Sequence, residues 1–157
     1  MDFVHCDKND NYVTLHDCKA DRAYFENGIL GFEFPDGFWI TPENPESKLD
    51  TLVRTDKSKV EFVLYDGDQA DATVYVFEKN IFKQDIRKER DVRKLVNDIN
   101  NGKYSLEFLY QYVDGYLRIV QCCLGSPKKP YFRECDLHLC TREVSYHWNR
   151  IIEDRVW

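Results

Sequence analysis

The chain has 157 residues, with 22 Lys plus Arg against 28 Asp plus Glu, a formal net charge of −6, 43% hydrophobic residues and 15% aromatic residues. That length suits a single domain spanning 1–157 around one core, and an aromatic share made mostly of Phe and Tyr favours pleated sheet and excludes disorder. The acidic balance excludes general nucleic-acid binding, and no stretch has the length and apolarity of a membrane-spanning helix.

The amino terminus, MDFVHCDKNDN, has no positive segment followed by an apolar run, so it does not read as a secretory signal and the expected setting is the cytoplasm. Cys6, Cys18, Cys122, Cys123, Cys135 and Cys140 contain no Cys-x-x-Cys spacing. In a reducing compartment they are expected to be free, mostly small buried hydrophobes rather than metal ligands or disulfides. No cofactor motif is present.

Tyr12 to Cys18 predicts a short strand. His16-Asp17-Cys18 carries the residue types of a Cys–His nucleophile, but strand neighbours project to opposite sides and no third group orients the imidazole. Asn27-Gly28 predicts a tight hairpin, since a type I′ turn needs φ > 0 at both central residues. It would set Glu26 against Ile29, Phe25 against Leu30, Ala23 against Phe32 and Arg22 against Glu33, leaving Ala23, Phe25, Leu30, Phe32 and Phe34 on one face.

Pro35-Asp36-Gly37 marks a turn into Phe38, Trp39 and Ile40, where Trp39 is either core or an outward binding anchor. Residues 41–59 form the longest polar connection, a candidate lid or contact loop unless an edge strand near Thr51 to Arg54 shortens it. Val60 to Tyr65 and Ala72 to Phe77 predict a second hairpin around Asp66-Gly67-Asp68. Its carboxylates lack the Glu and spacing of a calcium loop.

Val92, Leu95, Val96 and Ile99 recur at helical spacing before Gly102, predicting one helix over about 89–100. Arg90 and Lys94 lie on its other face, as a solvated stripe or an anion contact. Leu106 to Val113, Asp114-Gly115 and Tyr116 to Leu124 predict a third hairpin, with Tyr112 set against Leu117 and Tyr110 against Ile119. Its aromatic face is core or the lining of a ligand cavity.

Tyr131 to Cys140 and Glu143 to Trp148 read as a last strand pair. A two-residue turn at Thr141-Arg142 would gather Glu134, Asp136, His138 and His147 on one face, the one constellation with metal-ligand or acid–base chemistry. Leu15-His16-Asp17-Cys18, Phe34-Pro35-Asp36-Gly37-Phe38-Trp39, Leu106-Glu107-Phe108 and the tail from Pro130-Tyr131 to Trp148-Asn149 resemble an uncharacterised family of small bacterial mainly-β hypothetical proteins. That resemblance implies a bacterial cytoplasmic setting and no activity.

The expected fold is therefore mainly β: an antiparallel meander forming a β-sandwich or partly closed barrel with one helix, the alternative being an α+β layout with the helix on one face of a single curved sheet. Three functions fit. The first is a non-catalytic protein-binding protein of the immunity or accessory type, with Trp39, Arg90 and Lys94 as candidate contacts. The second is a small-molecule-binding β-barrel, and the third a metal-dependent hydrolase using Asp136, His138 and His147.

Overall fold

The longest strand of the chain, β13 (Phe132–Trp148), organises the fold because both of its edges are paired along most of its length. It is one of fourteen strands in the computed structural model, which describes residues 3–157. They are β1 (His5–Asp7), β2 (Val13–Thr14), β3 (Cys18–Ala20), β4 (Arg22–Glu26), β5 (Ile29–Phe34), β6 (Trp39–Ile40) and β7 (Val53–Thr55), then β8 (Ser58–Leu64), β9 (Ala72–Lys79) and β10 (Asp85–Arg90). After the helix α1 (Val92–Asn100) come β11 (Ser105–Asp114), β12 (Leu117–Gly125), β13 and β14 (Ile151–Val156). The chain is 56% strand and 8% helical, with one helix and antiparallel sheets.

The first half of β13 lies between β12 and β9, and its second half between β8 and β1. Ten strands thus form one sheet with the path β3-β11-β12-β13-β8-β5-β4, while β14-β7-β6-β2 form a small second sheet. The large sheet does not close, consistent with a sandwich or partly open sheet. Its two halves meet through aromatic edge-to-face contacts. Phe108 of β11 touches Phe32 and Phe34 of β5, each at 5.3 Å between centroids, and Phe38 touches Tyr146 and Trp148. Removing one of these fully buried rings costs about 3–5 kcal/mol.

The first hairpin has the predicted register, from Arg22 opposite Glu33 to Glu26 opposite Ile29, with φ of 51° at Asn27 and 74° at Gly28. The second predicted hairpin does not exist. β8 and β9 do not pair with each other but lie in line on one edge of β13, joined across a corner. In that corner the Asp71 carboxylate accepts from the Asp66 and Gly67 N–H groups, and Asp68 from the Ala70 N–H. These carboxylates serve the turn itself. The third hairpin turns at Gly115-Tyr116 rather than Asp114-Gly115, so Asp114 faces Leu117 and Tyr112 faces Ile119. A bulge between Phe108 and Tyr110 takes up the extra residue lower down.

The predicted strand Tyr12 to Cys18 is broken into β2 and β3 by a turn in which Asp17 has φ of 54°. The helix begins at Val92, not Glu89, because Glu89 and Arg90 pair with Tyr75 and Val74 as the end of β10. Asp91 caps it by accepting from the Lys94 N–H, and Val92, Leu95, Val96 and Ile99 are buried. At its far end the Asn100 amide both donates to and accepts from the Ala23 backbone, giving the β4 edge a partner it would otherwise lack. The connection after β6 is cut short by β7 at Val53, which is the edge-strand alternative expected near Thr51 to Arg54.

Thr141-Arg142 is not a turn. β13 runs through it with a bulge between Thr141 and Glu143, and neither residue has positive φ. The extra residue changes parity: Cys135, Leu137 and Leu139 are buried before it, and Val144, Tyr146 and Trp148 after it.

Candidate functional site

The burial pattern of β12 places a charge where its neighbours are apolar. Arg118 shares its face with Val120, Cys122 and Leu124, and its side chain is only 5% exposed. A buried guanidinium needs a carboxylate. Asp10, from the loop between β1 and β2, supplies it: Arg118 Nη2 donates to Oδ2 at 2.8 Å and Nη1 to Oδ1 at 3.2 Å. The Tyr146 hydroxyl also donates to Asp10 Oδ1, at 2.5 Å. Burial, with the Asp10 carboxylate beside it, pushes the Tyr146 phenol far above its ordinary range, so it remains a donor.

Above this network lies a cleft of about 1140 Å³ between the segment from Lys8 to His16, which includes β2, and strand β11. Asp10, Gln111 and Tyr146 form its polar floor, while Leu15, Phe108 and Val120 give it apolar walls. His16, Tyr110 and Trp157 stand along its rim, with His16 at 5.1 Å from the Tyr110 ring and 5.7 Å from the Trp157 ring. His16 Nδ1 lies 2.5 Å from the Leu109 carbonyl, which can only accept, so this nitrogen carries the proton. The bulge at Leu109 is what aims that carbonyl at the ring. Oε1 of Gln111 is buried without a hydrogen-bond partner among the described residues.

Beyond the cleft, the end of the β11–β12 hairpin carries Tyr110, Tyr112, Val113, Tyr116 and Leu117, each about half exposed. Tyr65 reaches it from the β8–β9 corner, its ring 4.8 Å from that of Tyr116. The face predicted to be core is therefore core only at Leu106 and Phe108. Tyr110 and Val113 belong to both the cleft and the exposed tip.

The other predicted residues fall elsewhere. Asp136 and His138 share the outer face of β13, where His138 packs edge-on against Tyr75. His147 does not join them. It lies past the bulge on the same strand, eleven positions beyond Asp136, and it pairs with Glu61 at 2.9 Å. Burial holds its imidazole below the usual range despite that carboxylate. No group of three His, Cys, Asp or Glu able to hold a metal occurs among the described residues.

His16 and Cys18 do not form a nucleophilic pair either. Cys18 is buried, its Sγ faces backbone carbonyls of Thr14 and His16, and burial pushes its thiol up to about 12. Trp39 is buried under the Arg54 guanidinium, 4.6 Å from its ring, and the edge of Trp157, at 5.2 Å. Arg90 donates to Glu78 at 2.8 Å, and together with Lys94 it lines a small concavity beside the helix.

The fold and cleft define an acidic, mainly-β chain with one large concave site and no metal-holding cluster among its described residues. No protein-family model, curated protein or solved structure matches it. No helix among the described residues is long and apolar enough to cross a membrane.

Proposed function

We propose that the protein is a non-catalytic binding protein of the immunity or accessory type, which recognises another protein through the β11–β12 tip and the adjoining cleft. The carrying observation is the half-exposed cluster of Tyr110, Tyr112, Val113, Tyr116 and Leu117 with Tyr65 against it. Tyr110 and Tyr112 lie on one face of the hairpin and Val113 on the other, so its tip exposes apolar side chains on both sides, and large exposed apolar surface on a folded chain marks an interaction site. Tyrosine also brings large contact area at low conformational cost. Asp66 adjoins Tyr65 and Asp114 adjoins the turn, and with a net charge of −6 they select a basic partner. Six free cysteines suit a reducing, cytoplasmic setting.

The test is capture from cell extract by immobilised wild type, by Tyr112→Ser/Tyr116→Ser, and by Ile81→Ser/Phe82→Ser, the last altering a separate exposed apolar turn. The reading expects one partner bound by wild type and the Ile81/Phe82 variant and lost by the tyrosine variant. Equal capture by all three would end it.

A second reading, a small-molecule binder, is favoured by the cleft volume and its buried polar floor. A compound that raises the melting temperature of wild type and of Tyr112→Ser/Tyr116→Ser equally, but not of Gln111→Ala, would select it over the first.

A further inference from the structure

Charge is unevenly distributed in this acidic chain. Beside α1, the side chains of Arg90, Lys94, Lys103 and Arg133 converge on one concavity of about 180 Å³, together with only two carboxylates, Glu78 and Asp98. Glu78 is already doubly engaged, by Arg90 at 2.8 Å and by Lys88 at 2.8 Å from outside the concavity. Asp98 is held by Lys103 at 3.0 Å. Lys94 and Arg133 have no carboxylate within salt-bridge distance among the described residues, so the concavity has a formal surplus of two positive charges.

The donors are also positioned. Arg133 Nη1 donates to the Tyr104 hydroxyl at 2.9 Å, which fixes the guanidinium and leaves the phenol proton free to donate inward. Lys94 is anchored at its backbone by the Asp91 cap and is followed directly by the buried Leu95. The floor is apolar, formed by Val76, Leu95 and Leu124, so water is partly excluded and the charges are less screened than on an open surface. The volume lies below that of sites for drug-sized molecules, so it suits a compact ion.

We infer that this concavity is an oxyanion site for a phosphate group, either free or as a small monoester, held by Lys94, Arg133 and the Tyr104 hydroxyl. Guanidinium and ammonium donors against a tetrahedral oxyanion are the chemistry that recognises phosphate, and a surplus of two charges matches a phosphate near neutral pH. The site is distinct from the cleft and tip, and the inference stands whether or not those bind a protein.

The probes are inorganic phosphate and phenyl phosphate, each against sodium chloride at matched ionic strength, read by titration of backbone amide chemical shifts and by melting temperature. Phosphate is expected to shift the amides of Lys94, Lys103, Tyr104 and Arg133 saturably and to raise the melting temperature. Tighter binding of phenyl phosphate would identify the monoester, using the Leu95 and Leu124 floor, and equal or weaker binding would identify the free ion.

Lys94→Met and Arg133→Met should each weaken binding at least tenfold. Lys128→Met/Lys129→Met, which removes two exposed lysines elsewhere, should leave it within twofold. Shifts in wild type that track ionic strength alone, or equal loss in the Lys128/Lys129 variant, would overturn the assignment. The wild-type titration decides the matter even where Arg133→Met fails to fold.

Discussion

The Asp10–Arg118 pair makes an asymmetric prediction. Its two members differ in access to water: the Arg118 side chain is 5% exposed and that of Asp10 34%. Asp10→Asn leaves a guanidinium in the interior without its counter-charge, and losing one partner of a buried pair costs about 3–5 kcal/mol. Arg118→Met leaves instead a carboxylate that water reaches and that Tyr146 still serves, while the thioether fills the vacated volume, so about 1–2 kcal/mol is expected. The double variant should cost less than the sum, with a coupling of about 1–3 kcal/mol. Urea unfolding of the four proteins, with a common m-value, measures all three quantities. Equal costs for the two single changes, or additivity within about 0.3 kcal/mol, would refute the account of Arg118 as a buried charge held by Asp10.

Gly31→Ala tests the first hairpin, because a Cβ there would overlap the Tyr24 ring, whose hydroxyl is committed to Glu61. It should destabilise by about 1–3 kcal/mol, and by clearly less on a Tyr24→Ala background, as read from urea midpoints. His147 gives a pH dependence. Burial holds its pKa below the ordinary value, against the opposing pull of Glu61, with Lys59 and Lys8 adding to the depression. The unfolded chain therefore takes up the proton first as pH falls through about 6.5, and stability drops from its neutral-pH value. Glu61 stays charged through this window, since Lys59 and Tyr24 hold it below its usual range in spite of its own desolvation. His147→Gln should flatten the melting-temperature profile between about pH 7 and pH 5, and an unchanged slope would count against burial as the cause. Iodoacetamide followed by mass spectrometry should label exposed Cys6 first in the native protein, and Cys18, Cys122 and Cys135 only after unfolding.

Alternation and turn chemistry make much of the fold legible in the sequence. Asn27-Gly28 fixed a register because only a tight turn satisfies two adjacent left-handed residues, and Val92 to Ile99 gave one buried helical stripe. What failed shares one cause. A change of phase in the alternation reads as a reversal of the chain at Thr141-Arg142, although a bulge produces the same signature without one. Asp66-Gly67-Asp68 misled in the complementary way, since a turn there bends the path along one partner strand rather than folding β8 onto β9.

The cleft was legible in part. Arg118 stands at an inward position between apolar neighbours, and that pattern alone signals a buried charge in need of a partner. Nothing local points to Asp10, which comes from a loop far away in the chain. The half-exposed tip was hidden for a different reason, because alternation distinguishes two faces of a hairpin but not how far the sheet beneath extends to cover them.

The bulge in β13 links the fold to the site. With strict alternation from Cys135 onward, Tyr146 would project outward, and the Asp10 carboxylate would lose the hydroxyl that accompanies Arg118. One inserted residue turns Tyr146, together with Val144 and Trp148, toward the interior. It also leaves Glu143 outward, where it takes the Lys8 ammonium at 2.8 Å. Lys8 and Asp10 both belong to the segment that walls the cleft, so two of that wall's anchors depend on the phase of β13. The sheet distortion is thus the structural origin of a preformed cleft beside the tyrosine tip, and a preformed surface keeps the ordering cost of binding low.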